Sequence, residues 1–177
     1  DATWSLIGDA SVDEGDTAGY TLSLAGGLQA GETATINLAV AFPGGTDAAA
    51  AADFMELFLK DVADSISGRS DLSLSGSTLT FTSSGSAMAN LVISLPTVDD
   101  TLVEGSENFT VSIASQASTT GASILLHGTA NAVTTTIVDN DDATWSLVGA
   151  ATVNEGAAAG YTLSLAGGLQ AGETATI

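Results

Sequence analysis

The chain has 177 residues, no cysteine, 21 acidic residues against two basic ones (Lys60 and Arg69), one histidine and a net charge of −19. Disulfides and thiolate metal sites are excluded, and the negative excess argues against nucleic acid and anionic membrane surfaces as partners. At 45% apolar residues the chain is too hydrophobic for disorder, yet no apolar run reaches the ~20 residues of a membrane span.

Short β-type runs separated by Gly, Ser, Asn and Asp recur along the chain. Residues 3–7 open it. Residues 19–24 alternate, with Tyr20, Leu22 and Leu24 on one face. Residues 34–42 place Ile36, Leu38 and Val40 inward. A helix near 49–66 then interrupts the strands: Phe54, Leu57, Phe58, Val62 and Ile66 recur at helical spacing, with Glu56, Lys60 and Asp64 four apart on another face. Its expected role is to cover an apolar surface at one end or edge of the strands. Residues 72–81 read as a hairpin turning at Ser75 and Gly76. Residues 89–95 align Leu91, Ile93 and Leu95; Phe109, Val111 and Ile113 form another strand; residues 132–138 close the series. The pattern predicts an all-β antiparallel sandwich of about seven strands with one inserted helix.

Residues 1–36 and 142–177 are two copies of one segment, offset by 141 positions and differing at six of 36. Residues 18–36 and 159–177 are identical. The chain therefore reads as one complete repeat, 1–141, followed by the N-terminal fragment of the next, 142–177, cut from a longer tandem array. A 141-residue unit can bury its own core. The fragment cannot, because isolated strand pairs are marginal. It is expected to pack against a neighbouring molecule or to continue into a longer array.

The acids are not spread evenly. They gather at Asp13, Glu14 and Asp16, at Asp53, at Asp99, Asp100, Glu104 and Glu107, and at Asp139, Asp141 and Asp142 around Asn140. These groups follow the first, third, fifth and seventh strands. In an up-and-down or Greek-key sandwich such turns share the pole opposite the entering N-terminus, and the last strand exits there. The groups are thus expected to converge where the next repeat begins. About six to eight carboxylates at one pole repel strongly unless cations bridge them. Hard oxygen donors without His or Cys select calcium, with two or more ions per repeat near the junction. The EF-hand loop and the glycine-rich nonapeptide are absent. Asp13, Asp16 and Asp47 are read as turn residues, and Asp53 also suits the helix N-cap, with Glu56 three residues on.

Several motifs, in order and spacing, resemble the Calx-β domain: V-D-E-G (12–15), A-A-D-F (51–54), T-L-T-F (78–81), D-D-T-L-V-E-G-S-E-N-F (99–109) and T-T-I-V-D-N-D-D (135–142). The opening D-A-T-W-S-L and the helix are similar to the extender repeats of very large bacterial surface adhesins of the RTX type, exported by type I secretion. The resemblance implies an immunoglobulin-like Greek-key sandwich that binds several calcium ions near the domain junction. The implied ligands are Glu14, Asp53, Asp99, Asp100, Glu104, Glu107, Asp139, Asp141 and Asp142. Asn140 stands where the family often has a third consecutive acid, and its amide offers a neutral oxygen instead. The implied location is extracellular, at the bacterial cell surface, in biofilm adhesion.

No enzyme is expected. His127, the one histidine, has no nucleophile partner in the sequence and reads as structural. Paired carboxylates can hydrolyse glycosides, but that chemistry needs a cleft and aromatic platforms, and the nine aromatic residues fit strand and helix patterns. The reading that follows is a calcium-stabilised spacer whose partners are adjacent repeats of the same chain. The alternative is a calcium-dependent carbohydrate- or protein-binding module; a calcium sensor is disfavoured by near-identical copies.

Overall fold

The computed structural model describes residues 1–42 and 48–177, with side chains from residue 54 onward in the helix. In chain order the elements are β1 (Ala2–Gly8), β2 (Ser11–Asp13), β3 (Thr17–Ala25), β4 (Thr33–Ala41), α1 (Ala48–Ser65), β5 (Leu72–Ser75), β6 (Thr78–Thr82) and β7 (Leu91–Pro96). Then follow β8 (Leu102–Val103), β9 (Glu107–Ala117), β10 (Ile124–Leu126), β11 (Ala132–Val138), β12 (Thr144–Gly149), β13 (Tyr161–Ala166) and β14 (Gly168–Leu169).

Two sheets form an immunoglobulin-like, mostly antiparallel sandwich with one inserted helix. One sheet has the order β10-β1-β3-β7 and the other β2-β11-β9-β4-β6-β5. The alternation seen in the sequence is what lets each strand offer one apolar face to the space between them. Trp4, Leu6, Tyr20, Leu22, Ile93 and Leu95 come from the first sheet, and Ile36, Leu79, Phe109 and Val111 from the second; all are buried. The opening strand switches sheets at Asp9 and Ala10. β1 pairs antiparallel with β3, and β2 then pairs parallel with β11.

The helix lies where the hydrophobic spacing predicts. Phe58 and Val62 are fully buried. The Phe58 ring meets the Tyr20 ring edge-on at 6.4 Å, and Phe54 lies 4.7 Å from Phe109, so α1 touches both sheets. The opposite face carries the exposed Lys60–Asp64 ion pair at 2.6 Å. Asp53 does not cap this helix. α1 begins at Ala48, so the alanines at 48–52, the best helix formers, carry it past the N-cap position assigned to Asp53.

The strand count differs from the expectation. β2, β8 and β10 have three residues or fewer, too short to show alternation, and each pairs in parallel with a distant segment. They are products of tertiary pairing, not of local pattern.

The second copy repeats the first only in part. The register of β12 with β13, Leu147 opposite Leu163, equals that of β1 with β3, Leu6 opposite Leu22. Ser146 and Ser164 hydroxyls meet at 2.7 Å, as Ser5 and Ser23 do at 2.8 Å. What differs is burial. Tyr20 is 1% exposed and Tyr161 66%; Leu6 is 1% exposed and Leu147 65%. The six sequence differences (Ile7/Val148, Asp9/Ala150, Ser11/Thr152, Asp13/Asn154, Asp16/Ala157 and Thr17/Ala158) all fall where the first copy is exposed. The eleven buried apolar residues of 1–36 are the same in both.

A buried hydroxyl relay ties the two sheets together. Thr135 Oγ1 donates to the Asp9 carbonyl at 2.7 Å, which leaves the Tyr20 hydroxyl to donate to Thr135 Oγ1 at 2.6 Å. Thr135→Val orphans both partners and is expected to destabilise by about 1–3 kcal/mol in urea unfolding. Tyr20→Phe removes only the donor and is expected to cost less; the reverse order contradicts the relay.

Candidate metal centre

Among the described residues, one group of carboxylates is close enough to share an ion. Oxygens of Glu14, Asp100 and Asp141 lie within 4.8 Å of one another. They arrive on three separate loops, after β2, after β7 and after β11.

Backbone geometry brings the first and last together. Val138 pairs with Asp13 at the end of the β2–β11 ladder, and the Glu14 N–H donates to the Val138 carbonyl at 2.9 Å. Gly15 then turns the chain with φ of +79°, and a Cβ there would stand 2.7 Å from Asp99 Cβ. Only glycine satisfies both the left-handed backbone and the close approach. The second loop is tied to this turn by Thr97, whose N–H and hydroxyl both donate to the Asp16 carbonyl, at 2.8 and 2.9 Å. Asp100 Oδ1 accepts from the Leu102 N–H at 2.7 Å, an Asx-type turn.

Two residues of the third loop act as braces. Asp139 accepts from the Asp141 N–H at 2.9 Å and from the Glu104 N–H at 2.7 Å. Asn140 Nδ2 donates to the Glu14 carbonyl at 2.9 Å, so the amide binds backbone where a third acid would add charge. These bonds leave Asp141 Oδ2 buried with no hydrogen-bond partner.

The other expected ligands sit around this triad or beyond it. Asp99, Asp139 and Asp142 are near enough to act on Asp141 electrostatically, and Glu107 acts on Glu104. Glu107, the first residue of β9, is exposed. Asp53, like Asp47, lies outside the residues whose side chains are described. The carboxylates of Asp13 and Asp16 are not in the triad, and their backbones close the turn through the Asp16 N–H to the Asp13 carbonyl at 3.0 Å.

The charges at this pole disturb one another. Desolvation, then the carboxylates of Asp100, Asp139 and Asp141, push Glu14 above its ordinary pKa. Desolvation and the neighbours Asp100, Glu107, Glu14 and Asp139 do the same to Glu104. Asp141 is raised by desolvation and by Asp139, Asp99, Asp100 and Asp142. Asp139 is lowered, because two backbone N–H groups favour its charged form. An all-oxygen donor set with one orphaned, desolvated carboxylate oxygen fits a hard divalent cation.

The second copy touches this pole directly. β14 pairs in parallel with β8, Gly168 with Leu102 and Leu169 with Val103. The Gln170 N–H donates to the Val103 carbonyl at 3.1 Å, and its Nε2 donates to Glu104 Oε1 at 2.7 Å. Nothing in the sequence marked Gln170, whose counterpart Gln29 instead faces Glu32, its N–H donating to Glu32 Oε2 at 2.7 Å.

Beside the acids lies a cleft of about 280 Å³, walled by Phe42, Phe54, Leu57, Pro96 and Val98 and edged by Glu14, Asp100 and Glu104. An apolar surface is therefore present next to the carboxylates. His127 is remote from this chemistry in kind: its Nδ1 accepts from the Thr129 and Ala130 N–H groups, at 3.3 and 3.0 Å, and holds a turn. Among the described residues no helix is long and apolar enough to cross a membrane. The chain matches no protein-family model and no curated protein sequence.

The pKa directions set a pH dependence. A carboxyl whose folded pKa is raised binds its proton more readily when folded, so its ionisation costs stability at neutral pH and that cost fades as the pH falls. Asp139 works the other way: its stabilisation is present above the ordinary carboxylate range and is lost as the pH falls through its lowered value. Three raised groups oppose one lowered group at this pole. In chelator, the melting temperature is therefore expected to rise as the pH falls from neutral toward the ordinary carboxylate range. A melting temperature that only declines over that interval contradicts the electrostatic account.

Proposed function

We propose that the chain is part of a calcium-stabilised extender: a repeat of 141 residues, 1–141, with 142–177 opening the next, in a bacterial surface adhesin that projects a distal binding domain. The observation that carries the reading is the triad of Glu14, Asp100 and Asp141 at the point where one copy passes into the next. A cation there would neutralise Glu14 from the start of a unit, Asp100 from its middle and Asp141 from its exit. The Gln170–Glu104 hydrogen bond and the β8–β14 pairing lie on the same loop as Asp100, so ordering that loop would also fix the angle of the following copy.

The direction of the chain supports a spacer. β1 and β2 run from the entry of the unit toward the acidic pole, and β11 exits at that same pole, beside Asp13. Entry and exit are thus separated by the length of the opening strands, at most about 40 Å at the usual rise per residue. Copies joined this way extend head to tail. Adjacent repeats are the partners, calcium the ion, and the location extracellular, at the cell surface. Extracellular calcium modules bind at about 10⁻⁴–10⁻³ M, which suits an ion that assembles the rod outside the cell.

The apolar cleft beside the acids favours a second reading, a calcium-dependent carbohydrate- or protein-binding module. A glycan array probed with the chain in calcium separates the two, since a spacer gives no selective, calcium-dependent signal.

Calcium at about a hundred times its dissociation constant is expected to raise the melting temperature by roughly 5–10 °C, and to reduce the spread of hydrodynamic shapes seen in chelator. Asp100→Asn is expected to blunt the calcium response while raising the melting temperature in chelator, because it removes one repelling charge. If calcium moves neither melting temperature nor shape, the extender reading is wrong.

A further inference from the structure

The second copy meets the acid pole at the residues that separate Asp100 from Glu104. These are Leu102 and Val103 of β8, and among the described residues β14 is the only strand that β8 pairs with. Resting on the reading of Glu14, Asp100 and Asp141 as a cation site, we infer that the following copy sets the cation affinity of the copy before it, with Gln170 and Glu104 as the positioning residues that couple the two.

Two routes run from this contact to the ligands. The first passes through backbone. Gly168 pairs with Leu102, and the Leu102 N–H donates to Asp100 Oδ1 at 2.7 Å. Whatever fixes Leu102 therefore fixes one ligand carboxylate. The approach is close: a Cβ on Gly168 would stand 2.7 Å from Leu102 Cδ2 and 3.3 Å from the Thr101 carbonyl oxygen. The second route passes through side chains. Gln170 Nε2 donates to Glu104 Oε1 at 2.7 Å. The Glu104 N–H donates to Asp139 Oδ2 at 2.7 Å, and Asp139 Oδ1 accepts from the Asp141 N–H at 2.9 Å. Gln170 thus stands three hydrogen bonds from a second ligand residue.

The loop between these ligands has little order of its own. β8 is two residues long and Leu102 is exposed, so its ladder exists only with β14 in place. Ordering such a loop around an ion costs conformational freedom. Docking of residues 168–170 removes part of that freedom beforehand, and the ion then loses less on binding. An amide donor suits the position. It holds the Glu104 carboxylate without bringing a positive charge that would compete with the ion. The coupling is reciprocal, so the ion tightens the docking by the factor by which docking tightens the ion. It also has a direction along the chain: the site in one copy answers to the copy after it.

The test uses the whole 177-residue chain, with calcium as the probe. Two quantities are measured in the parent, in Gln170→Ala and in Gln29→Ala. One is calcium affinity by calorimetry. The other is hydrogen exchange at the residue-170 amide, which donates to the Val103 carbonyl. Gln170→Ala keeps that backbone bond and removes only the side-chain donor. It is expected to weaken calcium binding by about fivefold or more, the lower end of usual coupling between sites. Calcium is expected to slow exchange at residue 170 in the parent, and to slow it less in Gln170→Ala. Gln29→Ala changes the same position of the first copy, which is exposed and away from the acid pole, and is expected to match the parent in both measurements. Equal calcium affinity in the parent and Gln170→Ala, or an amide indifferent to calcium, overturns this inference alone and leaves the extender reading standing. Absence of calcium binding in the parent overturns both.

Discussion

Three parallel pairings, Ser11 with Thr136, Val12 with Ile137 and Asp13 with Val138, decide where everything else in the unit ends. They place the last strand beside the second, pointing the same way, so that the chain leaves next to the Glu14 turn and not next to its own start. The ladder brings Asp141 to Glu14, and Thr97 draws the Asp100 loop onto the same turn. It also makes the exit the far end of the long strands. The acid pole and the head-to-tail direction of the copies are two consequences of one backbone arrangement.

That arrangement gathers like charges that the fold does not neutralise from within. Both basic residues are engaged elsewhere: Lys60 with Asp64 on the helix, and Arg69 with Asp71 through two bonds of 2.7 Å. Desolvation, then neighbouring carboxylates, raise Glu14, Glu104 and Asp141, whereas Asp139 is lowered by backbone N–H donors. The protein part of the site is organised by braces. Asp139 and Asn140 hold the loops in place, and Asp141 keeps one oxygen without a partner. Asn140, between Asp139 and Asp141, carries no repelling charge and supplies a donor that fastens the Glu14 loop.

Much of the fold was legible because the signals were local and repeated. Alternation in 19–24 and 89–95 identified strands, and the spacing of Phe54, Phe58 and Val62 identified the helix. The topological argument that acids after odd-numbered strands share a pole holds for the loops that carry Glu14, Asp100 and Asp141, and the Asp53 group lies outside the described side chains. It could not tell a ligand position from a brace, because Asp139 and Asp141 look alike until the backbone hydrogen bonds are known. Asp53 suits a cap in the sequence because Ala carries no start signal, yet the alanine run begins the helix ahead of it. β2, β8 and β10 were invisible, being stabilised by distant partners. Gln170 and the apolar cleft were likewise unreadable, as each depends on how two separated segments meet.

The opening segment occurs twice. In both it forms a hairpin of the same register, and in the second copy the following loop rests on the acid loop of its predecessor. The loops that gather the carboxylates are also those that receive the next copy, so metal and junction are one structural problem. Calorimetric titration of the 177-residue chain with calcium tests this most directly. The account predicts saturable uptake of at least one ion, and its loss in Asp141→Asn. Absence of binding heat at millimolar calcium, or uptake unchanged in Asp141→Asn, contradicts it.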